Sequence, residues 1–130
     1  MMRSLTIPVL FILMSSSGVV LAEDHEGLPH ALEAGWKGED VCEVLLENDE
    51  MVVGKCTFPP GVGHDKHYHN PHFGYILEGS TMQIIDENGK QARDSGTGVN
   101  WSTDSITVHE VLNVGDTTAV ALIIEPKPQK

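Results

Sequence analysis

The sequence predicts an all-β fold, a single small β-barrel domain. The chain has 130 residues, the length of one domain. From Val41 onward, short runs rich in Val, Ile, Thr and aromatic residues alternate with Gly, Asn and Asp, the pattern of strands joined by tight turns. Many such strands at short spacing build a sandwich or a barrel. A composition 40% hydrophobic and 21% charged supplies apolar side chains for a core and excludes a disordered chain.

The elements follow in chain order. Residues 1–22, MMRSLTIPVLFILMSSSGVVLA, read as a secretory signal peptide: Arg3 gives a positive start, Leu5 to Met14 an apolar core, and Val20 and Ala22 frame a cleavage site. The alternative, an uncleaved membrane anchor, has too short a core, interrupted by Ser15, Ser16 and Ser17. The expected mature chain is Glu23 to Lys130, exported to the periplasm or the extracellular space and free of the membrane. Residues 23–40 form an N-terminal extension with a short helical turn near Pro29 to Ala34, where Pro29 suits the first helical position. The barrel is expected over 41–126, with a tail at 127–130. Strands are expected near 41–47, 51–58, 64–69, 73–78, 80–86, 90–93, 98–102, 108–114 and 117–125. Turn signals separate them, among them Asn48-Asp49, Pro59-Pro60-Gly61, Asn70-Pro71 and Asn88-Gly89. The last strand, TTAVALIIE, is apolar on both faces and needs cover on both, from a dimer partner or from the amino-terminal segment.

Two cysteines, Cys42 and Cys56, lie equally far from Asp49. A hairpin turning at Asn48 to Glu50 brings them face to face, and an exported chain can bridge them. Two buried free thiols are the alternative.

Charge narrows the partners. Eight Lys+Arg against 19 Asp+Glu give a net charge of −11, which repels nucleic acid and anionic membrane surfaces.

The chemistry points to histidine. Of 7 His in the chain, His64, His67, His69 and His72 fall within one short segment, PGVGHDKHYHNPHFGYILEG. His67 and His69 are two apart, so on a strand their rings leave the same face. Neutral imidazole is a common metal ligand, and rings from further strands can complete the set around a transition metal. His109 lies on a later expected strand. His64 has the opposite parity to His67 and His69 and is a doubtful ligand, while His25 and His30 read as solvated residues of the extension.

The spacing resembles the cupin family. Gly61, five residues, His67-Tyr68-His69 and a closing Gly79 resemble the first cupin motif, and Gly98, VNWST, His109 and Asn113 resemble the second, with Asp104 and Ile106 in place of its Pro and Gly. The resemblance covers most of 41–125 and implies a cupin-type jelly-roll β-barrel, a metal site and a homodimer. The metal-binding Glu of the first motif is missing, and His72 stands at its distance before Gly79. The expected ligands are His67, His69, His109 and His72, with His72 as a mere loop residue the alternative.

A set of imidazoles suits one divalent transition metal per chain, Fe, Zn, Ni or Cu, better than Mg, Ca or Mn. Asn113, Glu110, Asn70 and Gln83 could orient a ring N–H. The resemblance implies precedents among dioxygenases, isomerases, decarboxylases and lyases. No residue stands out as catalytic, although Tyr68, Tyr75, Glu78 and Glu110 could move a proton. A metal-dependent enzyme acting on a small molecule is one reading; a non-catalytic module that senses or sequesters a metal or ligand is the other.

Overall fold

The computed structural model describes residues 25–129. The expected signal peptide, residues 1–22, and its expected cleavage site lie outside the described residues.

The segment before the barrel is packed in place. His30 starts a single turn, its carbonyl accepting from Glu33 N and Ala34 N at 2.9 Å each. Two tiny strands follow, β1 (Gly35–Trp36) and β2 (Glu39–Asp40). They are joined at Lys37 and Gly38, both with positive φ (52° and 88°), the geometry of a tight hairpin turn.

The remaining strands are β3 (Cys42–Glu47), β4 (Met51–Phe58), β5 (Gly63–His69), β6 (His72–Glu78), β7 (Ser80–Asp86), β8 (Gly89–Ser95), β9 (Asn100–Thr103), β10 (Thr107–Asn113) and β11 (Ala119–Pro126). They form two antiparallel sheets, ordered β5-β10-β7-β8 and β3-β4-β11-β6-β9. All nine strands expected from Val41 on are present, with ends moved by at most two residues. The architecture is all-β, a flattened jelly roll whose two sheets remain open at their edges among the described residues.

Alternation decides which side chains enter. Along β4, Gly54, Cys56 and Phe58 are buried; along β6, His72, Gly74 and Ile76 are. These residues face inward, and Cys56, Phe58, Met82 and Ala119 form the core cluster. Strand β11 is central in its sheet, between β4 and β6. Ala121, Ile123 and Glu125 point inward, while Leu122 and Ile124 are half-covered by the neighbouring strands on the outer face.

Local chemistry fixes the corners. The Asn48 carboxamide accepts from Glu50 N and Met51 N, 2.9 Å each, and turns β3 into β4. A bulge between Val44 and Leu46 then shifts the pairing by one residue and sets Cys42 opposite Cys56, and the two are bonded as a disulfide. Gly61 and Gly98, the opening glycines of the two motifs, have φ of 78° and 90°, where a side chain would be strained.

The amino-terminal segment bridges part of the outer edge of β5 at Tyr68. Tyr68 N donates to Pro29 O (3.1 Å) and Ala31 N to Tyr68 O (2.9 Å). Leu32 lies so close over Gly54 that a Cβ there would collide with it, and Ala31 is fully buried.

Candidate metal centre

Two strands bring three histidines together. His67 and His69 leave one face of β5, as their spacing predicts. Strand β10 pairs His109 with His67 and Thr107 with His69, so all four side chains share that inner face. His67 Nε2 lies 3.0 Å from His69 Nε2, and His69 Nε2 lies 3.2 Å from His109 Nε2. His67 has no exposed surface and His69 is 4% exposed.

The ring tautomers follow from the bonds around them. His67 Nδ1–H donates to Asp65 O at 2.7 Å, which leaves Nε2 bare and aimed at its neighbours. Burial, reinforced by the neighbouring histidines, holds His67 far below the usual imidazole range and pushes His109 down to about 3. Both rings are therefore neutral at physiological pH, the state that metal ligands require.

His64 corrects the parity argument. Val111 pairs with His64 and His109 with His67, so β5 spends three residues where β10 spends two. Asp65 and Lys66 bulge out together, and both are exposed. The bulge returns His64 to the inner side, where it is 2% exposed and its ring lies 3.8 Å from that of His67. Its Nε2–H donates to Ala34 O at 3.0 Å, and burial lowers its pKa to about 4.

His72 enters from the opposite sheet. Its ring stacks on His69, centroids 4.5 Å apart. Its Nδ1–H donates to Asn70 O (2.8 Å), and its Nε2 accepts from Trp101 Nε1–H (3.1 Å). Both nitrogens have partners, so His72 could reach a metal only by releasing the indole. Burial, with His69 beside it, lowers its pKa.

The structure adds two residues to the cluster. Glu125 on β11 is 4% exposed. Its Oε2 accepts from His30 Nε2–H at 2.7 Å and from Asn70 Nδ2 at 3.4 Å, and its Oε1 stands 3.8 Å from His69 Nδ1. Burial alone would raise the Glu125 pKa, but the His30 bond and the nearby His69 outweigh it and hold it at about 2. The bond to Glu125 raises the His30 pKa against the opposing effect of burial. His30 is thus no solvated tail residue. Glu125 was detectable in the sequence as an acid in phase with the buried Ala121 and Ile123. The pairing of His30 with it depends on how residues 25–34 dock, and carries no local signal.

The other candidates separate by face. Asn113 is 1% exposed but spends its carboxamide on Phe58 O, Thr117 O, Gly115 N and Ser80 Oγ, away from the histidines. Glu110 pairs with Ile85 and Gln83 with Leu112, out of phase with the inward His109 and Met82. Only Asn70 joins the site's network. Tyr68 and Tyr75 alternate away from His67 and His72, and Glu78 is exposed. Two surface clefts, about 530 and 550 Å3, are bordered by Ser80, Asp94 and Thr117 and by Trp36, Lys37 and Val62, and neither includes a histidine.

The donor set fits a metal. Two nitrogens about 2.1 Å from one ion and about 90–110° apart lie about 3.0–3.4 Å from each other, the spacing shown by His67 with His69 and by His69 with His109. Three buried polar atoms at the site lack a hydrogen-bond partner: His69 Nδ1, Thr107 Oγ1 and Glu125 Oε1. Such groups are costly without a partner, and all three belong to residues of this cluster.

Fold and site together define a cupin-type β-sandwich with a histidine cluster able to hold a metal ion. Solved structures agree on the fold. A cupin domain from Bordetella pertussis superposes with a TM-score of 0.64 at 23% identity, covering 73% of this chain and 96% of that one. The polyketide cyclase RemF from Streptomyces resistomycificus gives 0.58 at 18%, covering 81% and 80%. The cupin domain of Schizosaccharomyces pombe Cnp3 gives 0.53 at 10%, covering 67% and 60%. No protein-family model matches the chain, and no curated protein sequence does. Identities this low speak for the fold alone. No helix among the described residues is long and apolar enough to cross a membrane, and the disulfide fits an oxidising compartment.

Proposed function

We propose that this protein is an exported cupin holding one divalent transition metal, Fe, Zn, Ni or Cu, through His67, His69 and His109, and acting as an enzyme on a small molecule. The observation that carries the reading is the meeting of three Nε2 atoms at 3.0 and 3.2 Å, with His72 bonded to Asn70 and Trp101 beside them. Three protein ligands leave positions free, the arrangement of catalytic rather than structural sites. A bound divalent metal supplies a Lewis acid that polarises a small ligand. The chain's own residues fix the His67 ring through Asp65, keep the His67 and His109 rings neutral by burial, and present the Thr107 hydroxyl on the same face. RemF, named a polyketide cyclase, is an enzyme on this fold, which agrees with catalysis.

Cleavage after Ala22 and dimerisation through the outer face of the five-stranded sheet belong to the same proposal. That face exposes Phe73, Tyr75 and Leu77. His72, the fourth ligand expected from sequence, would join only by giving up Trp101, and a closed four-histidine set would favour a binding or sensing module instead.

Cobalt(II)-loaded protein tests this choice. Open positions predict a visible spectrum that shifts when azide is added and is unaltered by His72→Ala before that addition. A tetrahedral spectrum indifferent to azide and lost in His72→Ala would contradict the enzyme reading.

A further inference from the structure

From the unpartnered atoms between His69 and Glu125 we infer that Glu125 is a positioning residue for the metal centre: it accepts a hydrogen bond from His69 Nδ1–H when a metal takes Nε2, and it is held for that task by His30 of the amino-terminal segment. The inference rests on the metal-binding reading above.

The reasoning begins with one proton. His67 Nδ1–H is committed to Asp65 O, so His67 Nε2 is bare. For His69 to bond to it at 3.0 Å without a metal, His69 must carry its own proton on Nε2. In the neutral ring this leaves Nδ1 bare; it faces a carboxylate oxygen, Glu125 Oε1, at 3.8 Å, and both atoms are buried without a partner. A metal on Nε2 displaces that proton. A neutral ring must then carry its proton on Nδ1, where Glu125 Oε1 waits as the acceptor. The proton moves from one nitrogen of the ring to the other, and no net charge is gained or lost. A carboxylate behind a ligating histidine fixes its orientation and makes the ring more basic.

Glu125 is not free to turn away. His30 and Asn70 hold its other oxygen. His30 in turn accepts from Leu32 N–H at 3.2 Å, and Leu32 is wedged over Gly54. Docking of residues 29–34 on β5 and β4 is thereby linked to the orientation of a ligand ring. The same carboxylate also lies near His72, but the His72 nitrogens are both engaged, which argues for an outer partner of His69 rather than a second metal site.

Zinc(II) alone is the probe, titrated into the mature chain against a competing chelator. Glu125→Gln should weaken zinc binding about ten- to a hundred-fold while one zinc per chain remains. His30→Ala should weaken it less, and the double variant should be no weaker than Glu125→Gln, because both act along one chain of bonds. The unmutated protein gives a second readout that does not depend on a variant folding. In ¹⁵N-histidine NMR, zinc should create a slowly exchanging Nδ1–H at His69, and the Ala31 amide should exchange with solvent more slowly. Unchanged affinity in folded Glu125→Gln, a His69 still protonated on Nε2 in the zinc-saturated protein, or two zinc ions per chain would overturn the inference. No zinc bound by the unmutated chain would overturn the metal reading itself, and this inference with it.

Discussion

Asn113→Ala should destabilise the protein without touching its metal centre. The carboxamide is 1% exposed and uses its full hydrogen-bonding capacity. Its Nδ2 donates to Phe58 O (2.7 Å) and Thr117 O (2.8 Å), and its Oδ1 accepts from Ser80 Oγ (2.8 Å) and Gly115 N (3.0 Å). Those partners come from the ends of β4 and β7 and from the turn between β10 and β11, so one side chain ties both sheets at one end of the sandwich. Each bond contributes about 1 kcal/mol net, and a buried group left without a partner costs about 1–3 kcal/mol. Ser80 can rotate and a water can reach part of the vacated space, so the loss should be about 3–5 kcal/mol. For a domain of this size that lowers Tm by roughly 15–25 °C. Asn113→Asp should be at least as harmful, because a carboxylate oxygen would face the two carbonyls that now receive N–H groups. Urea and thermal unfolding of metal-free protein, followed by circular dichroism, measure the effect without the added stability of bound metal. A loss below about 1 kcal/mol would refute the reasoning. So would a folded Asn113→Ala protein with weakened zinc affinity, which would give Asn113 a part in the metal site.

Three further outcomes are expected. Reducing the Cys42–Cys56 bond, which closes a separation of 14 residues, should cost about 3 kcal/mol; titratable thiols in the unreduced, unfolded protein, or a urea midpoint indifferent to reductant, would contradict this. Acid should destabilise the metal-free protein: burial lowers His64 to about 4 and His109 to about 3, so their contribution is full above the unfolded value of about 6.5 and is lost as pH falls from there towards 3–4, with a slope of up to about 1.4 kcal/mol per pH unit for each ring. Equal urea midpoints at neutral pH and about pH 5 would count against those burials. Light scattering of dilute protein should give twice the chain mass if the outer face around Phe73 and Tyr75 meets a second copy, and a monomer at all concentrations would remove that part of the proposal.

The strands were legible because their chemistry is local. Alternation in MVVGKCTF and HFGYILE states which residues enter the core, and Asn48-Asp49 and Asn88-Gly89 state where the chain turns. The disulfide was expected from the equal distances of the two cysteines from Asp49; in the structure the turn pairs Glu47 with Val52, and a bulge between Val44 and Leu46 supplies the one-residue shift that brings Cys42 opposite Cys56. Counting failed at His64. A bulge at Asp65 and Lys66 adds one residue to β5, and a single added residue reverses the face of everything beyond it. Nothing in HDKH announces that bulge; it arises from pairing with β10, some forty residues away. Glu125 is a milder case, an acid placed in phase with buried alanine and isoleucine, and its partner His30 lies 95 residues earlier. Contacts of that reach are set by how residues 25–34 pack, for which a short irregular segment gives little pattern. Asn113 shows the reverse: it was offered as a residue to orient a ring N–H, and its carboxamide instead ties strand ends together.

The most direct test is the metal content of the mature protein, purified without a metal-chelating tag and measured by elemental analysis beside His67→Ala, His69→Ala and His109→Ala. One transition-metal ion per chain in the unmutated protein, and loss of most of it in each folded variant, is the predicted result. Full occupancy in all three folded variants, or no metal in the unmutated protein even after incubation with zinc, iron, nickel or copper, would contradict it.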